Sequence, residues 1–326
     1  MTSSAVKTVT VKIGSRGSDL ALWQARWVQT ELKRMSPHVT VTIDVIRTTG
    51  DRVLDAPLSQ IGDKGLFTKE IEEALLDRRI DIAVHSLKDL PTQLPAGLAL
   101  GAVCQREDVR DVFIPHPENP RRRLLDQEQG ARIATGSLRR RCQLLSLRRD
   151  FAVIDLRGNL NTRMKKLEES HWAGMILARA GVVRLGWRAA IGEEIPASLM
   201  LPAVGQGALG IEIREGDVAT AAIVSGLNHG ETASAVGAER ALLRRLEGGC
   251  QVPIGTHARL EQSDGGARVL VLDAMVGSLD GTTVLRGSTR GDPAEAEALG
   301  TALAESLLAR GADRILEAIR TGSHEP

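Results

Sequence analysis

Tyrosine is absent from these 326 residues, and aromatic residues together make up only 2%. A surface that stacks nucleic-acid bases on aromatic rings has little to draw on. Neither sign of charge is in excess: 42 Lys and Arg stand against 41 Asp and Glu, a formal net charge of +1. Bulk charge therefore gives no attraction to nucleic acid or to an anionic membrane, and any positive field must come from local clusters. The three cysteines, Cys104, Cys142 and Cys250, form no CxxC pair. They are too few for a disulfide framework, and an odd number suits a reducing, cytoplasmic compartment. The seven histidines are dispersed without HxxxH spacing, so no metal site is expected. No apolar run reaches the roughly 20 residues needed to cross a bilayer, and Met1–Lys7 lacks the apolar core of a signal peptide.

What is present is a chain with 42% hydrophobic residues, long enough for two or three domains with separate cores. Its first half alternates strand and helix. Val9–Ile13 reads as a strand, followed by Gly14–Ser18 and a helix over Leu20–Lys33 with Ser18 as N-cap. Val39–Arg47 is a second strand, Thr68–Arg79 a helix and Ile80–Val84 a buried strand. The scheme restarts with a strand at Ala131–Ala134, a loop Thr135-Gly136-Ser137 and a helix Leu138–Arg148. A strand over Phe151–Leu156, a helix over Asn161–Glu169 and a buried strand over Gly174–Ala178 follow. The pattern predicts parallel βαβ units, and the match of Ile13–Ser18 to Ile133–Ser137 predicts two similar α/β domains. Pro202–Ala208 reads as a crossover and Ala208–Ile213 as a strand. Thr232–Leu246 is a helix that stops at Gly248-Gly249, directly before Cys250. Strands near 256–261, 268–276 and 282–289 and a helix within 292–320 predict a small α+β third domain.

Arginine is the most telling residue type. Arg139-Arg140-Arg141 opens a helix directly after Ser137, where free N–H groups and the positive dipole end favour an anion. Arg16, Arg157, Arg163 and Arg184 fall at or near strand-to-helix loops, which face the ligand crevice in open α/β sheets. Most arginine is solvated surface charge, but this repeated placement points to a carboxylate- or phosphate-rich ligand. Lys88 and Asp89 follow a buried strand and would emerge at its C-terminal end, as an anion anchor beside a proton donor or acceptor; a surface ion pair is the plainer alternative. Lys64 lies between Gly62 and Gly65, a simple turn or a mobile lid. Cys104 and Cys142 read as small buried hydrophobes. Cys250 differs, because the glycines before it allow a bulky group to approach the backbone.

Seven segments, in order and spacing, resemble the porphobilinogen deaminase family: Ile13–Arg16 through Leu20–Ala25, Asp63–Glu72, Val84–Pro91, Ser137–Arg140, Leu156–Arg163, Leu201–Ala208 and Leu246–Ile254. The resemblance implies an α/β fold of two type II periplasmic-binding-protein-like domains with the active-site cleft between them, plus a small α+β C-terminal domain. The boundaries expected are 7–107 with 208–226, 108–201, a crossover at 202–207, and 229–322. The implied activity joins four porphobilinogen molecules into the linear tetrapyrrole hydroxymethylbilane, releasing ammonia, in tetrapyrrole biosynthesis. The implied cofactor is a dipyrromethane primer held by a thioether to Cys250, with Lys88, Asp89, Ser137, Arg139 and Arg140 around it. The resemblance makes Asp89 the catalytic acid–base residue and Arg16, Ser18, Lys64, Phe67, Arg157, Arg163, Arg184 and Gln206 substrate contacts. It implies no nucleic-acid or membrane partner and a monomer. One departure is visible: the family commonly has Thr-Ser-Ser before Leu-Arg-Arg, and here Gly136 takes the middle position.

Two other readings compete. A non-enzymatic carboxylate-binding module explains the α/β domains and arginines but leaves Gly248-Gly249-Cys250 without a role. An RNA-binding protein using Arg121–Arg123 and Arg139–Arg141 fits poorly with the charge balance and the scarce aromatics. Intact-protein mass spectrometry separates them. The purified chain should be heavier than its sequence by two linked pyrroles, and Cys250→Ser should remove the added mass. Added mass that survives the change, or maps to Cys104 or Cys142, overturns the assignment.

Overall fold

Alternating exposed and buried residues lead the chain into strand β1 (Val9–Ser15), whose last three residues are buried. The structure, a computed structural model, describes residues 9–52, 67–118, 123–247, 252–263 and 265–322. Ser18 ends the extended backbone and caps α1 (Asp19–Met35), its Oγ accepting from the Ala21 N–H at 3.4 Å. There follow β2 (Val39–Val45), α2 (Lys69–Leu76), β3 (Ile82–Ser86) and β4 (Leu98–Val103). The scheme recurs in β5 (Asp111–Pro115), β6 (Arg132–Ala134), α3 (Leu138–Leu147), β7 (Ala152–Ile154) and α4 (Leu160–Glu168). It continues through β8 (Gly174–Ala178), α5 (Arg179–Arg184) and β9 (Glu193–Ile195). Next come β10 (Leu209–Arg214), α6 (Val218–Val224) and α7 (Gly230–Arg245). The last stretch holds β11 (Ile254–Gln262), β12 (Arg268–Gly277), β13 (Val284–Gly291), α8 (Ala296–Ala309) and α9 (Ala312–Thr321).

The described residues fall into two compact units, the first within 1–56, 64–106 and 208–233, the second within 57–63, 107–207 and 234–326. The first unit holds a sheet of order β2-β1-β3-β10-β4, the second a sheet of order β7-β6-β8-β5-β9 together with the antiparallel sheet β11-β12-β13. In both five-stranded sheets the first three strands run parallel and the next two antiparallel to their neighbours. The two similar α/β layers anticipated from the repeated strand–loop–helix pattern are therefore present. The parallel βαβ units are present in β2-β1-β3 and β7-β6-β8, and antiparallel strands complete each sheet. Parallel neighbours need a crossover connection, and β10 instead enters its sheet from the segment that precedes it, opposite in direction to β3. Strands β4, β5 and β9 had no alternating pattern to announce them.

Each α/β sheet is covered on both faces. In the first unit Ala25, Val28 and Leu32 of α1 pack with Val11, Ile13, Ile82 and Val84, while Ile71, Ala74 and Leu75 of α2 pack with Ile80, Ala83 and Leu98. In the second, Leu144 of α3 joins Phe113, Ile133 and Ile176, and Leu167 of α4 joins Val112, Ala134 and Leu177. The C-terminal strands pack on α7, α8 and α9, and the single helix anticipated over 292–320 is two, broken at Gly311 with φ 98. Helix α2 ends at Leu76, short of Arg79, as Arg78 turns left-handed with φ 58. Among the described residues no helix is long and apolar enough to cross a membrane.

A buried ion cluster fastens the second unit. Asp111, at the start of β5, is fully buried; its Oδ2 accepts from Arg139 Nη1 at 2.7 Å and its Oδ1 from Arg140 Nη2 at 2.8 Å. Arg139 also donates to Leu201 O at 2.7 Å and Arg140 to Ile176 O at 3.0 Å. Gln206 Nε2 donates to Asp111 Oδ1 at 2.9 Å and to Val109 O at 2.7 Å. The crossover is held from its other side by the fully buried Glu239 of α7, which accepts from Gly205 N at 2.7 Å and Ala258 N at 2.8 Å. Burial alone would raise the Asp111 carboxyl, but Arg139 and Arg140 outweigh it and hold it well below the usual carboxylate range.

The sign follows from linkage. A depressed carboxyl contributes stability above its unfolded value of about 3.9 and loses it as pH falls towards the folded value. Asp111→Asn, which leaves two buried guanidinium groups without their anion, should cost about 3–5 kcal/mol near neutral pH. Urea midpoints of the intact protein at pH 7, 5, 4 and 3 should show the gap to wild type closing below about pH 4. A gap that stays constant down to pH 3 would mean that the Asp111 charge is not what stabilises the fold.

Candidate active site

In the first unit the C-terminal ends of the parallel strands carry the expected residues. Strand β3 is buried over Ile82–His85 and runs directly into a 3-10 turn, Leu87–Asp89. Leu87 N donates to Ala208 O at 3.0 Å, and Leu90 N closes the turn on Leu87 O at 3.2 Å. Leu87 is buried, Lys88 half-buried and Asp89 exposed, so a rigid turn presents the carboxylate to solvent. Arg16, after β1, stacks its guanidinium on the Phe67 ring at 4.3 Å to the centroid, a cation–π contact that fixes both. Ser18 is the α1 N-cap and is half-buried.

Two groups beneath that turn were not singled out from the sequence. His85 Nε2 lies 2.9 Å from Glu212 Oε2, both buried, locking β3 to β10 just before Lys88. Glu72 of α2 adds a third titratable group, its carboxyl raised first by burial and also by Glu212. Their sequence signal was a charged or imidazole side chain at an otherwise apolar strand or helix position.

In the second unit Ser137 takes the place that Ser18 holds in the first, capping α3 with its Oγ 3.4 Å from Arg140 N. Arg139 and Arg140 do not stand open at the helix start. Their side chains are 4% and 6% exposed, with forks turned inward to Asp111. Asp111 itself escaped the sequence reading, though a lone acid heading the apolar run Val112–Ile114 was the available signal. Gln206 is buried with its amide committed to Val109 and Asp111. Arg184 Nη2 donates to Gly207 O at 2.8 Å, so it also meets the crossover. Arg157 is oriented by Asp155, Nε to Oδ2 at 3.1 Å, and Arg163 Nε donates to Gly158 O at 2.8 Å, drawing the two arginines onto one loop. Asn159 caps α4, its Oδ1 accepting from Thr162 N at 2.9 Å.

Cys104 and Cys142 are buried, and burial pushes the Cys142 thiol up to about 12, which keeps it protonated and inert. Cys250 and Lys64 lie outside the described residues. Among the described residues no cluster of ligating side chains could hold a metal. The donor set suits a group bearing carboxylates. Two arginine cations face one aspartate in the buried cluster, leaving a formal excess of one positive charge, and the buried Nε atoms of Arg139 and Arg140 have no hydrogen-bond partner.

Comparison with known proteins places this arrangement. A family model described as porphobilinogen deaminase, dipyromethane cofactor binding domain, matches residues 11–222, and one described as porphobilinogen deaminase, C-terminal domain, matches residues 233–309. The porphobilinogen deaminase of Desulforamulus reducens is 50% identical over 312 residues, spanning 96% of this chain and 98% of its own. That of Carboxydothermus hydrogenoformans is 49% identical over 316 residues, spanning 97% and 99%. Among solved structures, a probable amino-acid ABC transporter extracellular-binding protein of Bacillus subtilis aligns at a TM-score of 0.40 and 11% identity, covering 68% of this chain and 90% of that one. The chain belongs to the porphobilinogen deaminase family.

Proposed function

We propose that this chain joins four porphobilinogen molecules into hydroxymethylbilane with loss of ammonia, and that its own residues divide the work as follows. The observation that carries the reading is the exposed Asp89 on a rigid turn at the end of a buried parallel strand. Cys250 would hold the dipyrromethane covalently, with Lys88, Asp89, Ser137, Arg139 and Arg140 around it. When bound, that group supplies a pyrrole with a free α-carbon as nucleophile.

Asp89 in its acid form delivers a proton to the departing amine of porphobilinogen. Ionised, it stabilises the electron-poor pyrrole cation left behind. Lys88 beside it, and Arg16 held on Phe67, offset substrate carboxylates. Arg157 and Arg163 serve the same charge in the second unit, where Asp155 and the Gly158 carbonyl fix their directions. Arg184, Gln206, Ser18 and Lys64 complete the substrate contacts. Each porphobilinogen adds two carboxylates, so every addition needs further cationic compensation. Arginine suits this task because it stays protonated throughout the working pH range.

The same reading takes three domains, supported by separate cores in the first α/β layer, the second, and the C-terminal strands and helices. A cytoplasmic monomer is supported by the buried, protonated Cys142 thiol and by the scatter of large exposed apolar side chains such as Val45, Leu125 and Val218.

Asp89→Asn tests the chemistry. Asparagine keeps the size and can accept a hydrogen bond, but it delivers no proton and brings no charge. Single-turnover ammonia release by cofactor-loaded protein should fall by roughly two factors of about 10². Asp89→Glu, which keeps proton and charge one methylene away, should retain more activity. If Asn equals or exceeds Glu, Asp89 only shapes its turn and the catalytic acid lies elsewhere.

A further inference from the structure

Gly136 is the position at which this chain departs from the family's usual serine, and the structure gives the departure a physical cause. Thr135 N donates to Ile154 O at 2.8 Å, so strands β6 and β7 remain zipped together up to the loop. At the next residue the two backbones meet. A Cβ on Gly136 would overlap the carbonyl oxygen of Leu156 and lie 3.4 Å from Asp155 Oδ1. Backbone atoms are what a side chain there would strike, and no rotamer change relieves such a contact.

The segment that would have to move is anchored at both ends. Leu156 is 1% exposed in the core of its α/β layer. Gly158 has φ 106, a conformation that favours glycine, and its carbonyl is gripped by Arg163; Asn159 caps the following helix. Between those anchors stands Arg157, oriented by Asp155, whose other carboxylate oxygen is the one nearest Gly136. A side chain at 136 would therefore disturb the peptide before Arg157 and the carboxylate that aims it. The displacement falls on the guanidinium.

We propose that Gly136 is a positioning residue: by lacking a side chain it lets the Thr135–Ser137 loop close on the Leu156 carbonyl, and so sets where Arg157 meets a substrate carboxylate. Asp155 shares the task, because with position 136 bare its carboxylate is left to Arg157. The inference rests on the reading of Arg157 as a carboxylate-binding group.

The test compares Gly136→Ala, Gly136→Ser and Asp155→Asn with Gly237→Ala, a glycine whose Cβ would meet nothing within 4 Å. The probe is a pyrrole carrying the acetate and propionate of porphobilinogen with methyl in place of the aminomethyl group, so it cannot release ammonia. Its dissociation constant for cofactor-loaded protein is measured by titration calorimetry, beside KM and kcat for porphobilinogen. Both Gly136 variants should weaken the probe and raise KM by about tenfold or more, the scale of a lost hydrogen bond to a charged group. They should leave kcat within about threefold, since no proton-transfer group is altered. Asp155→Asn should act in the same direction, and Gly237→Ala should match wild type. Probe binding unchanged in both Gly136 variants overturns the proposal, as does a loss confined to kcat and urea midpoint. If wild type itself releases no ammonia from porphobilinogen, the functional reading fails, while probe binding still judges Gly136.

Discussion

Asp111 sits where four pieces of the second unit converge: strand β5, the start of α3, the Ile176 carbonyl of β8, and the crossover through Leu201 and Gln206. A carboxylate fully withdrawn from water is costly unless charges and donors surround it. Here two guanidinium groups and an amide do so. The same contacts fix the helix that Ser137 caps, the strand that leads to Arg179, and the crossover that carries Gln206. Glu239 repeats the device on the far side of the crossover, spending one buried carboxylate on two backbone N–H groups. Short apolar strands such as β6 and β7 contribute little side-chain area, so buried polar connections carry much of the local geometry.

That arrangement changes how an arginine-rich motif is understood. Two adjacent arginines at a helix start invite an anion, and the first anion they meet is the protein's own. Counting charges leaves one cation uncompensated and two buried Nε–H groups unpartnered, so the cluster is both a structural clamp and a source of positive potential. Arg157 and Arg163 differ from this pair. Local bonds orient them, to Asp155 and to the Gly158 carbonyl, and neither belongs to the buried Asp111 cluster. The first unit follows a third course. There Arg16 is steadied by the face of an aromatic ring.

The division of roles also explains why the acid–base candidate is simple to place. A buried parallel strand must end in a loop, and the residues just past its C-terminus are the first that can reach solvent. Lys88 and Asp89 are those residues for β3. The His85–Glu212 pair lies one step earlier, where an exposed site is impossible but strand register can still be fixed. Positioning and presentation thus occupy the end of one strand and the turn that follows it.

Much of this was legible in the chain itself. Local rules suffice for Ser18 and Ser137 as helix caps, for β3 as a buried strand, and for the loop position of Arg157, because each depends on neighbours a few residues away. Motif order sufficed for the family. Residues separated by long stretches of chain could not be paired in this way. Nothing local says that Asp111 meets Arg139 and Arg140, that Gln206 turns to the same carboxylate, or that His85 finds Glu212. Nor does the sequence reveal that β10 and β5 run antiparallel, since strand direction depends on where the chain re-enters the sheet. Gly136 shows the boundary most clearly. The sequence determined that a side chain was missing there, and only the tertiary structure decided what fills its place: the carbonyl of Leu156, brought up by the pairing of two strands. Local propensity is fixed by covalent neighbours, whereas close approach is fixed by packing.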